Sequence, residues 1–120
     1  MARILSVSYD HTLLMTRQML LEQMGHSVVS AEGFAQAFKI CKEDGSFDLV
    51  ILGHSIPHDD KAAIIAEVRR LCHCPVLALL RPQEEHVKAA DRSIDSWEPR
   101  AFVEAVRQMF QPVGVDQDFA

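Results

Sequence analysis

No run of about 18 apolar residues occurs in this chain, so no segment is expected to cross a membrane as a helix. The opening Met1-Ala2-Arg3-Ile4-Leu5 turns polar at Ser6, too soon for the apolar core of a secretory leader. Excess positive charge is missing as well. Lys and Arg number 12 against 17 Asp and Glu, for a net charge of −5. No basic patch marks a nucleic-acid footprint. Cysteine is scarce: Cys41, Cys72 and Cys74 are the only ones. Without a leader, they are expected to be reduced thiols in a cytoplasm rather than a disulfide framework. Repeats, low-complexity tracts and an interdomain linker are not evident. What is present is an ordinary globular balance, 48% apolar and 24% charged over 120 residues. That length fits one domain and can bury roughly two-thirds of its unfolded surface.

Apolar runs alternate with amphipathic stretches along the chain. Ile4 to Val7 reads as a strand. Asp10 then stands as a helix N-cap, because its carboxylate can accept the free N–H groups of a first turn. Leu13, Leu20 and Met24 follow on one helical face, with Leu14 and Leu21 beside them, and Gly25 closes the pattern. Ser27 to Ser30 is a second strand. Phe34, Ala37, Phe38 and Cys41 repeat at helical spacing and end at Gly45. Leu49 to Leu52 is a strand apolar on both faces, which suits a parallel strand covered on each side. Ile64, Ile65, Val68, Leu71 and Cys72 mark a helix, and Pro75 to Leu80 a fourth strand whose Pro sits where no ladder donor is needed. A short helix is expected over 83–90 and a weak fifth strand at Ile94. Pro99 opens a last helix with Phe102, Val103, Val106, Met109 and Phe110 inward. Five strand–helix repeats imply a parallel α/β sheet of order 2-1-3-4-5, with any ligand at the carboxyl ends of its strands. One domain is expected over 1–111 and a flexible tail over 112–120.

From Ile4 to about Phe110 the pattern resembles the receiver domains of two-component response regulators, a flavodoxin-like fold. Met24-Gly25-His26 is similar to the family's first helix-to-strand turn. Phe47 to Leu52 resembles the approach to its phosphoacceptor, and Ser55-Ile56-Pro57 the loop beyond. Pro75-Val76-Leu77 resembles its fourth strand, and Glu98-Pro99 stands where the family has Lys-Pro. The resemblance implies phosphoryl transfer from a kinase histidine to an aspartate. That chemistry needs a carboxylate nucleophile, further carboxylates for Mg²⁺, and a hydroxyl and a cation around the phosphoryl oxygens.

Position by position, those groups are replaced. The family's acidic pair falls on Ser8 and Tyr9, its phosphoacceptor on Gly53, its hydroxyl on Leu80 and its lysine on Glu98. The aromatic of the fifth strand falls near Asp95. None of these residues can do the work, so the expectation is a degenerate receiver: a signalling module, not an enzyme, with no cofactor. Protein partners are expected, among them a histidine kinase, another regulator or a second copy of the chain, with no nucleic acid and no membrane. The implied contact face holds Glu84, Val87, Ile94, Trp97, Val103 and Arg107.

Two other classes compete. One is a phospho-receiver with an unorthodox acceptor or residual cation site at Asp10, His54, Asp59 or Asp60, with His11 and His58 near His54. Against it, Asp10 reads as a cap and the histidines lack a fixed metal spacing. The other is a small metal or redox protein built on Cys72 and Cys74. Here that pair ends a helix, where the dipole raises thiol pKa, and Cys72 continues an apolar face. Tyr9 is expected to fill the volume left by the lost carboxylates rather than to anchor a partner with Trp97. Arg69-Arg70 and Glu84-Glu85 read as solvated helix surface.

Overall fold

A computed structural model describes residues 2–95 and 99–110. Five parallel strands form one sheet: β1 (Arg3–Ser8), β2 (Ser27–Glu32), β3 (Leu49–Leu52), β4 (Val76–Leu79) and β5 (Arg92–Ile94), in the expected order 2-1-3-4-5. The helices are α1 (His11–Gln23), α2 (Phe34–Glu43), α3 (His58–Leu71) and α4 (Pro99–Met109).

Strand residues alternate between two cores because successive side chains point to opposite faces. Leu5, Val7, Val50, Leu52, Val76 and Ala78 join Ala37, Cys41, Ile64, Ile65 and Val68, which come from α2 and α3. Ile4, Leu49, Ile51, Leu77 and Leu79 join Leu21 of α1 and Phe102, Ala105 and Val106 of α4. The central strands are therefore apolar without alternation. Asp10 caps α1, its Oδ1 accepting from the Leu13 N–H at 3.1 Å. Gly25 follows that helix at φ 93°, a left-handed turn that glycine adopts without strain.

Two expectations fail. No helix forms over 83–90. Gln83 sits at φ 65°, and two tight turns replace the helix, with Glu84 N–H donating to Arg81 O and Ala90 N–H to Val87 O. The Val87 N–H is taken by Ser93 Oγ at 3.2 Å. Tertiary bonds have outcompeted local propensity. Phe110 is 37% exposed rather than inward, because it lies past the end of α4 and stacks at 5.2 Å on His26. Leu80 falls just beyond β4, although its N–H still reaches Ile94 O at 2.7 Å. The expected tail from 112 onward lies outside the described residues.

Candidate functional site

The carboxyl ends of β1 and β3 are adjacent, because the sheet order reverses between them. Ser8, the last residue of β1, is fully buried. Its Oγ accepts from the Asp10 N–H at 3.0 Å and lies 3.1 Å from Ser55 Oγ. Ser55 Oγ accepts from the Tyr9 N–H at 3.1 Å. Hydroxyls thus knit the two loops together where the sequence offers no carboxylate. Gly53 donates its N–H to Val7 O at 2.8 Å. A Cβ on Gly53 would lie 2.8 Å from Arg17 Nη1 and 3.1 Å from Ser8 Oγ.

Arg17 is one of two buried cations that sequence reasoning missed. It sits on α1 between Leu14 and Leu21, on the helix's buried face, and is only 7% exposed. Its Nη2 donates to His54 Nδ1 at 3.0 Å. Arginine has no acceptor, so Nδ1 must be the unprotonated nitrogen of a neutral ring. Burial and the Arg17 charge accordingly hold the His54 pKa down. Burial also lowers the Arg17 pKa, and the charge of Asp10 opposes that shift. Nη1 is buried and has no hydrogen-bond partner among the described residues. Contrary to the expectation from sequence, Tyr9 does not fill the space at the ends of β1 and β3. It is 38% exposed, its hydroxyl donates to Asp60 at 3.2 Å, and the guanidinium occupies the space beside Gly53.

A second cation, Lys61 on α3, is also fully buried. Its Nζ donates to both Glu84 oxygens, at 2.6 and 2.8 Å. Glu84 also accepts from the Arg81 N–H at 2.8 Å and lies 2.9 Å from His58 Nδ1. Burial raises the Glu84 pKa, but these donors outweigh it and hold the carboxyl below its ordinary range. Arg81 donates to the His54 and Ser55 carbonyls at 2.9 and 2.7 Å, tying the β4 exit to the β3 exit. Both missed cations carried a legible signal: each is a charge set inside an apolar helical stripe, Leu14-Arg17-Leu21 and Lys61-Ile64-Ile65-Val68.

The histidines and acids do not converge. His11 pairs with Glu32, His58 with Glu84 and His54 with Arg17. Asp10 caps α1, Asp59 is exposed in the first turn of α3, and Asp60 binds Tyr9. Among the described residues, no group of three such side chains is placed to hold a metal. Cys72 lies with its Sγ 3.3 Å from Cys41 Sγ in the core, and burial raises the Cys41 thiol to about 12 and Cys74 to about 11. Those are the opposite of reactive thiolates. On the expected contact face, Val87 is buried and the Glu84 side chain is turned inward, a correction caused by the ion pair and the two turns. Ile94 and Val103 are half-buried, and Arg107 is exposed beside Glu104. Asp95 is exposed. Trp97 and Glu98 lie outside the described residues.

No protein-family model matches the chain, and no curated protein matches it. Solved structures do. A response regulator receiver domain protein of Clostridium thermocellum has TM-score 0.76 at 21% identity, over 91% of this chain and 94% of that one. The response regulator TrrA of Thermotoga maritima, solved with Mg²⁺-BeF, has TM-score 0.74 at 24% identity, over 92% of this chain and all of its own. TrrA solved with the histidine kinase ThkA has TM-score 0.75 at 23% identity, over 92% of this chain and 100% of its own. Identities this low establish architecture and not chemistry. The chain carries the fold of response-regulator receiver domains.

Proposed function

We propose that this chain is a degenerate receiver domain, working in signal transduction through protein–protein contacts and not through aspartyl phosphorylation. One observation carries the reading. The space beside Gly53, where an acceptor side chain would begin, holds the Arg17 guanidinium. Ser8 and Tyr9 bring no carboxylate, and Leu80 brings no hydroxyl. A resident cation there opposes Mg²⁺ by charge, and Gly53 offers no carboxylate nucleophile to a phosphoryl group. The Lys61–Glu84 pair and the Arg81 ties fit a module held in one conformation. The receiver unit would span 1–111, with 112–120 as a tail. The buried reduced thiols fit a cytoplasmic setting.

The partner class is a histidine kinase, another regulator or a second copy. TrrA has been solved on a histidine kinase, which makes the kinase the first partner to try. The contact face narrows to Ile94, Val103 and Arg107, with Trp97 beside them in sequence, because Val87 is buried and the Glu84 carboxylate is turned inward onto Lys61. The direct test is incubation with acetyl phosphate and Mg²⁺, read by intact mass. The chain should stay unmodified. A stable phosphoryl adduct mapping to Asp10, His54, Asp59 or Asp60 would replace this reading with that of an unorthodox phospho-receiver. For the face, Arg107→Glu should weaken capture of the partner. Unchanged capture would move the interface elsewhere.

A further inference from the structure

Beside the carboxyl edge lies a cavity of about 70 Å³ between α1, β4 and α4. Its walls are mainly apolar, from Leu13, Leu20, Leu79 and Phe102, and Arg17 and His54 supply the charged and polar side. Arg17 is only 7% exposed, and one of its buried terminal nitrogens has no partner among the described residues. Leaving a buried charge without a counter-ion is strongly unfavourable, so such a group marks a place for an anion. Asp10, the acid whose charge acts on it, uses its carboxylate to cap α1. His54 offers Arg17 a neutral nitrogen, which takes a hydrogen bond and brings no negative charge.

We infer that this cavity binds a small monocarboxylate, its carboxylate on Arg17 and its short apolar part against Leu13, Leu20, Leu79 and Phe102. The planar guanidinium fork matches a carboxylate in shape and charge. A phosphate or sulfate dianion would need more donors than one guanidinium in an apolar pocket. The volume is about half that of an engineered cavity known to hold benzene, which limits the ligand to roughly three to five non-hydrogen atoms. The inference needs only the cavity and the guanidinium. It does not depend on the partner reading above.

The test titrates the full chain with acetate and propionate at fixed ionic strength, read by amide shifts and the Arg17 Nε–H resonance. Chloride and sulfate serve as comparators. Saturable shifts at Arg17, Gly53 and His54 are expected, with a midpoint of about 1 mM for so small a ligand. Arg17→Met should abolish them, and Arg17→Lys, which loses the fork, should weaken them at least about tenfold, the equivalent of one good hydrogen bond. Should Arg17→Met fail to fold, Thr16→Phe decides the matter: it leaves the guanidinium in place, plugs the cavity wall to which Thr16 contributes, and should abolish the response. Linear, non-saturating shifts overturn the proposal. So do saturation by sulfate as strong as by acetate, and shifts that survive Thr16→Phe.

Discussion

At the scale of single residues, the account turns on Arg17 and Gly53. A side chain at 53 meets the far end of a flexible arginine, which can move, and the Ser8 side chain at 3.1–3.2 Å, which must give by a few tenths of an ångström. Gly53→Asp should therefore fold, with the new carboxylate paired to Arg17. A hydrogen bond to a charged group contributes about 1.5–3 kcal/mol, so Gly53→Asp should be more stable than the near-isosteric Gly53→Asn by about that order. Urea midpoints check this, and equal midpoints would remove the guanidinium from its assigned place. Lys61→Met should cost about 3–5 kcal/mol because it strands Glu84, while adding Glu84→Gln should recover much of the loss. Additive costs in that double-mutant cycle would contradict the pair. Legibility differed at this scale. The proposal that Ser8, Gly53 and Leu80 stand at replaced positions rests on identity and spacing alone. Arg17 and Lys61 could not be placed that way, because a lone cation in a helix reads as surface until its apolar neighbours one turn away are counted against it.

Among the elements, the strands were legible because a parallel strand buried on both faces must be an unbroken apolar run, as Leu49 to Leu52 is. The Asp10 cap was legible for an equally local reason. Asp10→Ala should lower stability by about 1 kcal/mol, seen as a lower thermal midpoint. The segment over 83–90 was misread because Glu84, Glu85, Lys88, Ala89 and Ala90 are good helix formers. What decides its shape is distant: Lys61 draws the Glu84 carboxylate inward, and Ser93 takes the Val87 N–H. Local pattern carries no trace of bonds to residues far away in sequence. If those bonds hold the segment, Glu84→Gln should speed amide exchange at Val87 and Ala90 while β3 and β4 stay slow. Unchanged protection at Val87 would show that the turns stand by themselves.

Over the whole molecule, His54 and Glu84 shape the response to acid, alongside His26 and Asp44, whose pKa values are also held down. His54 has a pKa held below its ordinary value, so the unfolded chain takes its proton first. Stability should fall as pH drops through about 6.5 toward the folded value. Glu84, held below the usual carboxylate range, adds stability that is present above about pH 4.3 and is lost as pH falls further through its folded value. His54→Asn keeps an acceptor for Arg17 but cannot titrate, and should flatten only the upper part of the curve. The fold as a whole puts these charged groups at the sheet's carboxyl edge, the place where a receiver would hold its metal and phosphoryl group. The claim that this edge carries no phosphoryl chemistry is met most directly by titrating labelled protein with Mg²⁺ and beryllofluoride, an aspartyl-phosphate mimic, and following amide shifts. The account predicts no Mg²⁺-dependent, saturable shifts at Ser8, Gly53 or Leu80 up to millimolar ligand. Saturable shifts that require Mg²⁺ and cluster at those strand ends would contradict it, and would mean that the edge still binds metal and phosphate.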